Sequence, residues 1–321
     1  MPLLLPELLC PAGDEAALRA AVDSGANAVY LGYRAFGARA SATNFDAEAL
    51  EAAVRYAHLY HVRVYVTVNT LVKPDEMQDL RAALGEIAAT GADAAIVQDL
   101  GVAAMVRREF PALALHASTQ MAICNAEGAR LARSLGFSRV VLARECSLED
   151  AHAVAETGIE TEVFVHGALC TAVSGRCLMS SMSGGRSGNR GRCAQRFRMD
   201  GMQGPLLSLR DLCLLDDLPV LCASGVRSLK VEGRLKSSEY VAVVTSVYRR
   251  ALDAVAQGNF RPDPAQREQL LQFHPRTYSG RGGRGSGHPG PREPRGPAAG
   301  QGAGRTGSSG RAACGPRTSR R

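Results

Sequence analysis

Apolar positions along the chain alternate between short runs that suit strands and longer stretches with helical spacing. Short, mostly apolar runs predict strands at Glu7–Cys10, Ala28–Leu31, Val62–Val68, Ala94–Val97, Leu113–Ala117, Arg139–Ala143, Glu160–Val165 and Ser228–Val231. Apolar residues every three or four positions predict helices at Glu15–Ser24, Ala47–Leu59, Pro74–Thr90, Leu100–Phe110, Ala126–Leu135, Ser147–Glu156, Leu209–Ala223 and Ser237–Gln257. Asp46, and Ser147 with Asp150 three residues on, are predicted helix start signals.

Eight strands that are each followed by a helix predict an α/β protein with a (β/α)₈ TIM-like barrel. The alternative is an open doubly wound sheet, but no G-x-G-x-x-G follows the first strand, which argues against a dinucleotide fold. We expect the barrel at 1–260, an incomplete segment at 261–280 and a low-complexity Gly/Arg tail at 281–321. The main irregularity is the insertion after strand seven, a cysteine-containing loop at 167–205.

Polar residues follow the predicted strands, and in a barrel these loops share the face where active sites are built. They are Asp14, Tyr33, Asn44, Asn69, Gln98, Asp99, Ser118, Gln120, Arg144, Glu145, His166, Glu232 and Arg234. Each is more often a cap or a satisfied loop group than a functional one. The candidate catalytic residues are His166, Glu232, Arg234 and Gln120. His166 is a candidate ligand or acid–base group, and Glu232 with Arg234 either forms scaffold or grips an anionic substrate.

His116 lies inside a predicted strand, and we expect it to be a packed residue.

The insertion carries Cys170, Cys177 and Cys193, separated by six and then fifteen residues. Clustered thiols after a strand are typical of zinc or iron–sulfur sites. This spacing matches neither the paired C-x-x-C of zinc knuckles nor that of small ferredoxins. On spacing alone, a metal site and three ordinary thiols are about equally well supported.

The net charge of +7 belongs to the C-terminal tail. Residues 281–321 contain nine Arg, one Glu and no Lys, so the rest of the chain has a net charge of −1. A neutral body does not indicate nucleic-acid binding directly. Five arginines near the cysteines form either a local basic patch or a solvated loop; they are Arg186, Arg190, Arg192, Arg196 and Arg198.

No apolar run reaches membrane-spanning length, and the segment Met1–Cys10 lacks the features of a signal peptide. We therefore expect a cytoplasmic protein without a membrane partner, in which the nine cysteines are free thiols or ligands rather than disulfides. After Phe273 the chain contains no Leu, Ile, Val, Met or Phe, which predicts disorder. Oligomeric state has no signal in the sequence.

The cysteine segment resembles the signature of the collagenase-like peptidase family U32. The matching positions are Glu162, Phe164, Gly167, Leu169, Cys170, Gly175, Cys177 and Ser180. Four other blocks are similar to the family, in the right order, at Glu7–Asp14, Gly25–Gly32, Ala42–Phe45 and Ser228–Lys236. Family members usually continue beyond Phe273 with an ordered segment, so we expect the tail to reflect a truncated or frame-shifted reading frame.

This resemblance implies two activities. One branch of the family looks like iron–sulfur-dependent, oxygen-independent hydroxylases that use prephenate to modify a pyrimidine in rRNA or tRNA, and Arg186–Gln195 is similar to that branch. By this resemblance Cys170, Cys177 and Cys193 are three ligands of an iron–sulfur cluster, which the resemblance implies to be of the 4Fe-4S type. Relatives place another cysteine where this chain has Phe197. Three outcomes follow: Cys213 is the fourth ligand, three cysteines leave one iron open, or the site is inactive.

The second implied activity is a collagenase-like peptidase. The sequence contains neither H-E-x-x-H nor G-x-S-x-G. A Cys170–His166 nucleophile is conceivable, but such a mechanism needs one cysteine rather than three. We favour the RNA hydroxylase, keep the peptidase as the alternative, and hold an inactive binding protein as a weaker third hypothesis.

Overall fold

The computed structural model describes residues 4–38, 43–193, 209–233 and 235–272 and the backbone of 278–279. Its strands are β1 (Glu7–Pro11), β2 (Ala28–Gly32), β3 (Arg63–Val68), β4 (Ala94–Val97), β5 (Ala114–Ala117), β6 (Arg139–Val141), β7 (Glu160–Gly167), β8 (Asp211–Cys213), β9 (Ser228–Val231) and β10 (Tyr278–Ser279). Its α-helices are α1 (Glu15–Asp23), α2 (Ala47–Leu59), α3 (Met77–Ala89), α4 (Leu100–Glu109), α5 (Ala126–Ser134), α6 (Leu148–Ala155), α7 (Met179–Met182), α8 (Leu218–Ala223), α9 (Ser238–Ala256) and α10 (Pro264–Leu271). In these ranges no helix has both the length and the apolar composition needed to cross a bilayer.

The sheet closes on itself. Strands β1 to β7 pair in parallel with their sequence neighbours, and β9 pairs in parallel with both β7 and β1. An open sheet would leave both outer strands unpaired. Within the described residues the predicted (β/α)₈ barrel is therefore confirmed, and the open alternative is wrong. The predicted tail at 281–321 lies outside the described residues.

The predicted helix at Leu209–Ala223 is wrong in its first half. Strand β7 extends past its pairing with β6, and its end pairs antiparallel with β8, with His166 opposite Cys213. Leu212 and Leu214 are buried there, so tertiary packing overrides the helical spacing of the leucines. Only α8, the second half, is helical.

The pleat of the strands separates apolar side chains into two clusters, one on each face of the sheet. Alternate strand residues such as Leu8, Val29 and Val64 face outward into the large core beneath the helices. A smaller cluster inside the barrel contains Leu9, Ala28, Tyr30, Tyr65, Ala94 and Ile96. The predicted helix starts are confirmed, because Asp46 accepts from Ala49 N and Ser147 forms a capping box with Asp150.

The rest of the barrel interior is charged. Arg139 on β6 bonds to Glu7 on β1 at 2.6 Å and to Glu162 on β7 at 3.2 Å. Glu162 in turn accepts from Lys230 Nζ on β9 at 2.8 Å, and Tyr65 Oη donates to Glu7 at 2.8 Å. We call Glu7, Arg139, Glu162 and Lys230 the buried ion network; each is 7% exposed or less.

Burial by itself raises the pKa of Glu162, but the charges of Lys230 and Arg139 outweigh it and hold that pKa at about 2. His116 faces the same interior, where its ring meets Tyr65 edge-on with centroids 4.7 Å apart. Burial and the nearby Arg139 charge lower the pKa of His116 to about 3. The prediction that His116 is a packed residue is confirmed.

Removing Arg139 should strongly destabilise the fold. In Arg139→Ala the carboxylates of Glu7 and Glu162 lose a buried partner, and breaking such a pair costs about 3–5 kcal/mol. Urea unfolding measures this loss. The matched control is Arg130→Ala, which removes an exposed pair with Glu127 and should change stability by less than about 0.5 kcal/mol. Equal effects of the two substitutions would contradict the role of the network.

Acid should destabilise the protein through His116. The unfolded chain protonates this imidazole near 6.5, whereas the folded chain resists protonation down to about 3. The neutral His116 imidazole therefore contributes fully to the free energy of unfolding above pH 6.5, and this contribution is lost as the pH falls toward 3. Unfolding free energies between pH 7 and 5 should fall less steeply in His116→Asn than in wild type. The exposed control His61→Asn should keep the wild-type slope.

Candidate active site at the barrel mouth

A small pocket opens at the carboxyl ends of the strands. It is lined by Tyr30, Ala38, Asn69, Ile96, Ser118, Thr119, Gln120, Val141, Arg144, Phe164, Lys230 and Glu232. These side chains come from most of the strands because inward-facing positions at strand ends converge there. The larger cavity of the barrel lies at the opposite end, near Leu5, Arg63 and Arg227. Residues at that end of such barrels usually serve stability rather than catalysis.

Two cations lie close to one aromatic ring in this pocket. Arg144 Cζ is 4.2 Å from the centroid of the Phe164 ring, and Lys230 Nζ is 5.7 Å from it. Arg144 pairs with Glu232, and Lys230 pairs with Glu162 below the pocket floor. The pocket therefore combines charge, an aromatic wall and amide groups, which suits a polar and partly ionised ligand.

The ends of β7 and β9 approach closely at Gly167. This glycine has φ +111°, and an added Cβ would lie 2.8 Å from the carbonyl oxygen of Glu232. Glu232 N donates to His166 O at 2.9 Å, and Tyr240 Oη donates to Glu232 O at 3.0 Å. Backbone contacts on both sides therefore fix the position of Glu232.

The amides of the mouth are mostly held by neighbours. Asn69 Oδ1 accepts from Ala38 N at 3.0 Å, and its Nδ2 donates to Ser118 Oγ at 3.4 Å. Gln98 differs, since its buried Oε1 has no hydrogen-bond partner among the described residues. Gln98 thus offers an acceptor close to the strand ends.

The first part of the cysteine loop folds over this mouth. Ser174 donates from N and Oγ to Glu145, at 3.0 and 2.8 Å. Gly175, with φ +71°, packs so closely on Gln120 that an added Cβ would lie 2.7 Å from its carbonyl carbon. These contacts fasten the loop to the segments that follow β5 and β6.

A second attachment lies across the mouth. Arg190 donates to Leu71 O at 2.8 Å and pairs with Glu76, both in the segment after β3. The hydrogen bonds from Arg190 lower the pKa of Glu76 to about 2. The loop therefore spans the barrel opening from β5 and β6 to β3.

The three cysteines of the loop differ in exposure. Cys170 and Cys177 are half-buried, and Cys193 is exposed. Thiols are suitable donors for iron, but within the described ranges no three Cys, His, Asp or Glu side chains are grouped as a metal site requires. The donor types fit a cluster while their positions in this structure do not form a ligand set, so ligation by Cys170, Cys177 and Cys193 stays a prediction. Phe197 lies outside the described residues.

Cys213 and His166 lie together at the base of the loop. Cys213 sits on β8, not on the expected helix, with Sγ 3.9 Å from Tyr248 Oη of α9. Burial raises the pKa of the Cys213 thiol. His166 is also buried, its Nδ1 3.4 Å from Tyr248 Oη and its ring packed edge-on against that tyrosine. A fourth-ligand role for Cys213 and an acid–base role for His166 stay predictions.

Of the other candidate catalytic residues, Gln120 and Glu232 line the pocket, and Arg234 lies outside the described residues. Asp14 and Asp99 cap α1 and α4, which is the ordinary role expected of most loop polar groups. Tyr33 donates to Glu86, and burial with that carboxylate raises the pKa of Tyr33 to about 12.

Lys230 is the charged residue of the pocket lining to which the sequence assigned no role. The signal was present, because Ser228, Lys230 and Glu232 alternate with Leu229 and Val231. A period of two places the polar residues together on the inner face of β9. The interior position of a lysine was missed because its partner Glu162 lies on another strand.

A sequence model of peptidase family U32 matches residues 13–281. The chain belongs to this family. It is 40% identical over 263 residues to the 23S rRNA 5-hydroxycytidine C2501 synthase of Escherichia coli (strain K12), covering 78% of this chain and 40% of that protein. It is 38% identical over 267 residues to the tRNA hydroxylation protein P1 of Bacillus subtilis (strain 168), covering 78% and 63%. The U32 chain thus spans less than two thirds of the length of these two relatives.

A third relative carries a peptidase name. The chain is 36% identical over 298 residues to the uncharacterized protease MJ0090 of Methanocaldococcus jannaschii, covering 86% of this chain and 72% of that protein. The solved structure of the U32 peptidase Mk0906 superposes with a TM-score of 0.51 at 15% identity, covering 71% of this chain and 94% of that one. This structural likeness supports the fold alone.

Gly175→Ala should loosen the cysteine loop from the mouth. The methyl group would collide with the Gln120 carbonyl, so the loop must move. Limited proteolysis should cut the loop faster, while the unfolding midpoint of the barrel stays close to wild type. The control is Gly185→Ala in the same loop, which has a similar φ of +61° but no atom within 4 Å of the added Cβ. Equal proteolysis of both variants would show that backbone strain, not the contact, is responsible.

Proposed function

We propose that this chain is the catalytic barrel of an iron–sulfur-dependent, oxygen-independent hydroxylase that acts on a pyrimidine of rRNA or tRNA with prephenate as co-substrate. The observation that carries the proposal is the similarity to a named rRNA 5-hydroxycytidine synthase and a named tRNA hydroxylation protein across the whole barrel. These relatives support an RNA substrate, whereas the cluster and the co-substrate come from the family resemblance.

The mouth has the chemistry that a flipped base requires. Enzymes that modify a base bind it out of the stack, with hydrogen bonds to its Watson–Crick edge and stacking on aromatic or apolar walls. Gln120 and Asn69 supply amides, and Phe164 and Tyr30 supply rings in the same pocket.

Exposed arginines on the cysteine loop would hold the RNA backbone. Arg176, Arg186 and Arg192 are exposed on the loop that spans the mouth, and phosphate contacts from such residues position a nucleic acid without specifying its sequence. The barrel does not need an overall positive charge for this. Charges in salt solution act mainly within about one Debye length, so a local cluster of arginines is enough to attract phosphate groups.

Cys170, Cys177 and Cys193 would hold the cluster, with Cys213 as the candidate for a fourth ligand. When bound, an iron–sulfur cluster supplies electron transfer. The residues of the barrel would bind and orient the base and exclude water beneath the loop. Buried Glu162 would keep Lys230 in place at the pocket floor.

A peptidase is the alternative function, favoured by the name of the Methanocaldococcus relative. A Cys170 nucleophile would need a nearby base. His166 instead packs against Tyr248 of α9, and Cys170 Sγ accepts from Ala172 N at 3.5 Å. This geometry favours the hydroxylase over a Cys170–His166 dyad.

Deleting the gene should remove a hydroxypyrimidine from rRNA or tRNA, as measured by nucleoside mass spectrometry on each RNA class separately. Wild-type protein should restore it, and Cys177→Ala should not, because the variant loses a proposed ligand. Cys177→Ala protein should also contain less iron after anaerobic purification. Cys124→Ser, an exposed cysteine outside the loop, is the matched control and should restore the modification.

An unchanged hydroxypyrimidine content in both RNA classes of the deletion strain would reject the hydroxylase. Peptide cleavage that survives iron chelation and Cys177→Ala but is lost in Cys170→Ala would establish the peptidase instead. Restoration by Cys177→Ala with normal iron content would reject this cysteine as a ligand.

A further inference from the structure

Lys230 has donor capacity that the described residues do not use. An ammonium group carries three N–H donors, and Lys230 Nζ makes one hydrogen bond among the described residues, to Glu162 Oε1 at 2.8 Å. Its other neighbours are ring faces, with the Tyr30 centroid at 4.4 Å and the Phe164 centroid at 5.7 Å. The side chain is 5% exposed, and buried donors without acceptors are costly. A pocket ligand with acceptor oxygens would use them.

The charges around the pocket are balanced, so hydrogen-bond donors rather than a net charge select its ligand. Two cations, Lys230 and Arg144, line the pocket with one carboxylate, Glu232. Glu232 pairs with Arg144, and Glu162 below the floor pairs with Lys230. The remaining N–H donors of Lys230 therefore favour a ligand with acceptor oxygens.

We propose that Lys230 anchors the carboxylate group of a small organic acid in the mouth pocket, beside Arg144 and against the ring of Phe164. This assignment rests on the proposed function, in which the co-substrate is a dicarboxylate. A carboxylate offers acceptor oxygens with a single negative charge, which costs less to desolvate in this balanced site than a phosphate dianion does. An arginine next to an ammonium also suits carboxylate oxygens, because guanidinium donors bind them in a planar arrangement.

The position of the site gives it a defined role. The Glu162 carboxylate holds Lys230 from below, and Arg139 holds Glu162 in turn. Lys230 therefore needs little reorganisation when the acid binds, which lowers the cost of binding. The pocket has a volume of about 70 Å³, so it would take the carboxylate end of the acid rather than the whole molecule.

Calorimetric titration of the purified protein with prephenate tests the assignment. Lys230→Met removes a charge-assisted hydrogen bond and should weaken binding by about 10-fold or more. Lys230→Arg keeps the charge and should recover part of the affinity. The matched control is Lys73→Met, an exposed lysine outside the pocket, which should bind as wild type does. Inorganic phosphate should bind more weakly than prephenate.

A second measurement avoids the risk that Lys230→Met does not fold. The chain contains only three lysines, Lys73, Lys230 and Lys236, so protein grown with lysine labelled with ¹³C at Cε gives three signals. Prephenate should shift the Lys230 signal and leave the Lys73 signal unchanged. The proposal is overturned if the Lys230 signal does not move, if Lys230→Met binds normally, or if phosphate binds as tightly as prephenate.

The results separate this site from the proposed function. Prephenate binding that depends on Lys230, together with unchanged RNA nucleosides in the deletion strain, would keep the carboxylate site and reject the RNA hydroxylase. Loss of a hydroxypyrimidine in that strain, without any prephenate binding at Lys230, would keep the hydroxylase and reject the site.

Discussion

The buried ion network is the interaction on which the rest of the structure depends. It joins β1, β6, β7 and β9, and these include both strand pairings that close the barrel through β9. Charges in a barrel interior are costly to desolvate, so the attraction is favourable only when each partner is held in register. The register that brings Lys230 opposite both Leu9 and Phe164 is therefore also the register that satisfies Glu162.

The same network links stability to the site. Arg139 lines the larger cavity at the end opposite the mouth, Glu162 bonds to both Arg139 and Lys230, and Lys230 reaches the mouth. A barrel interior filled with branched apolar residues would have been cheaper to bury. Keeping charged residues there places a fixed cation under the pocket, and a fixed charge in a water-poor site needs no rearrangement when a ligand binds. The outer core beneath the helices supplies the apolar burial that offsets this arrangement.

The sequence predicted the features that depend on neighbouring residues and missed those that depend on contacts with distant parts of the chain. Strand and helix alternation is local, and it led to the correct barrel and to most element positions. The segment at Leu209–Ala223 misled because β8 exists only where the end of β7 offers an edge for pairing. His166 was expected at the mouth because it ends strand seven, where Glu162 and Phe164 face inward. An irregularity in the β7–β9 register between Phe164 and His166 interrupts that alternation, and a bulge of this kind redirects the next side chain.

The cysteine loop and the barrel contribute differently to the site. Lys230 and Phe164 stand on strands and Glu232 directly follows β9, and strands hold side chains more rigidly than loops do. The cysteines stand on a loop that is fastened at Ser174, Gly175 and Arg190, while Cys193 is exposed. The polar floor is held by strand residues alone, through Arg139, Glu162 and Lys230. It therefore does not depend on where the thiols of the loop lie, and a substitution among the cysteines would change the loop without removing any contact of the floor.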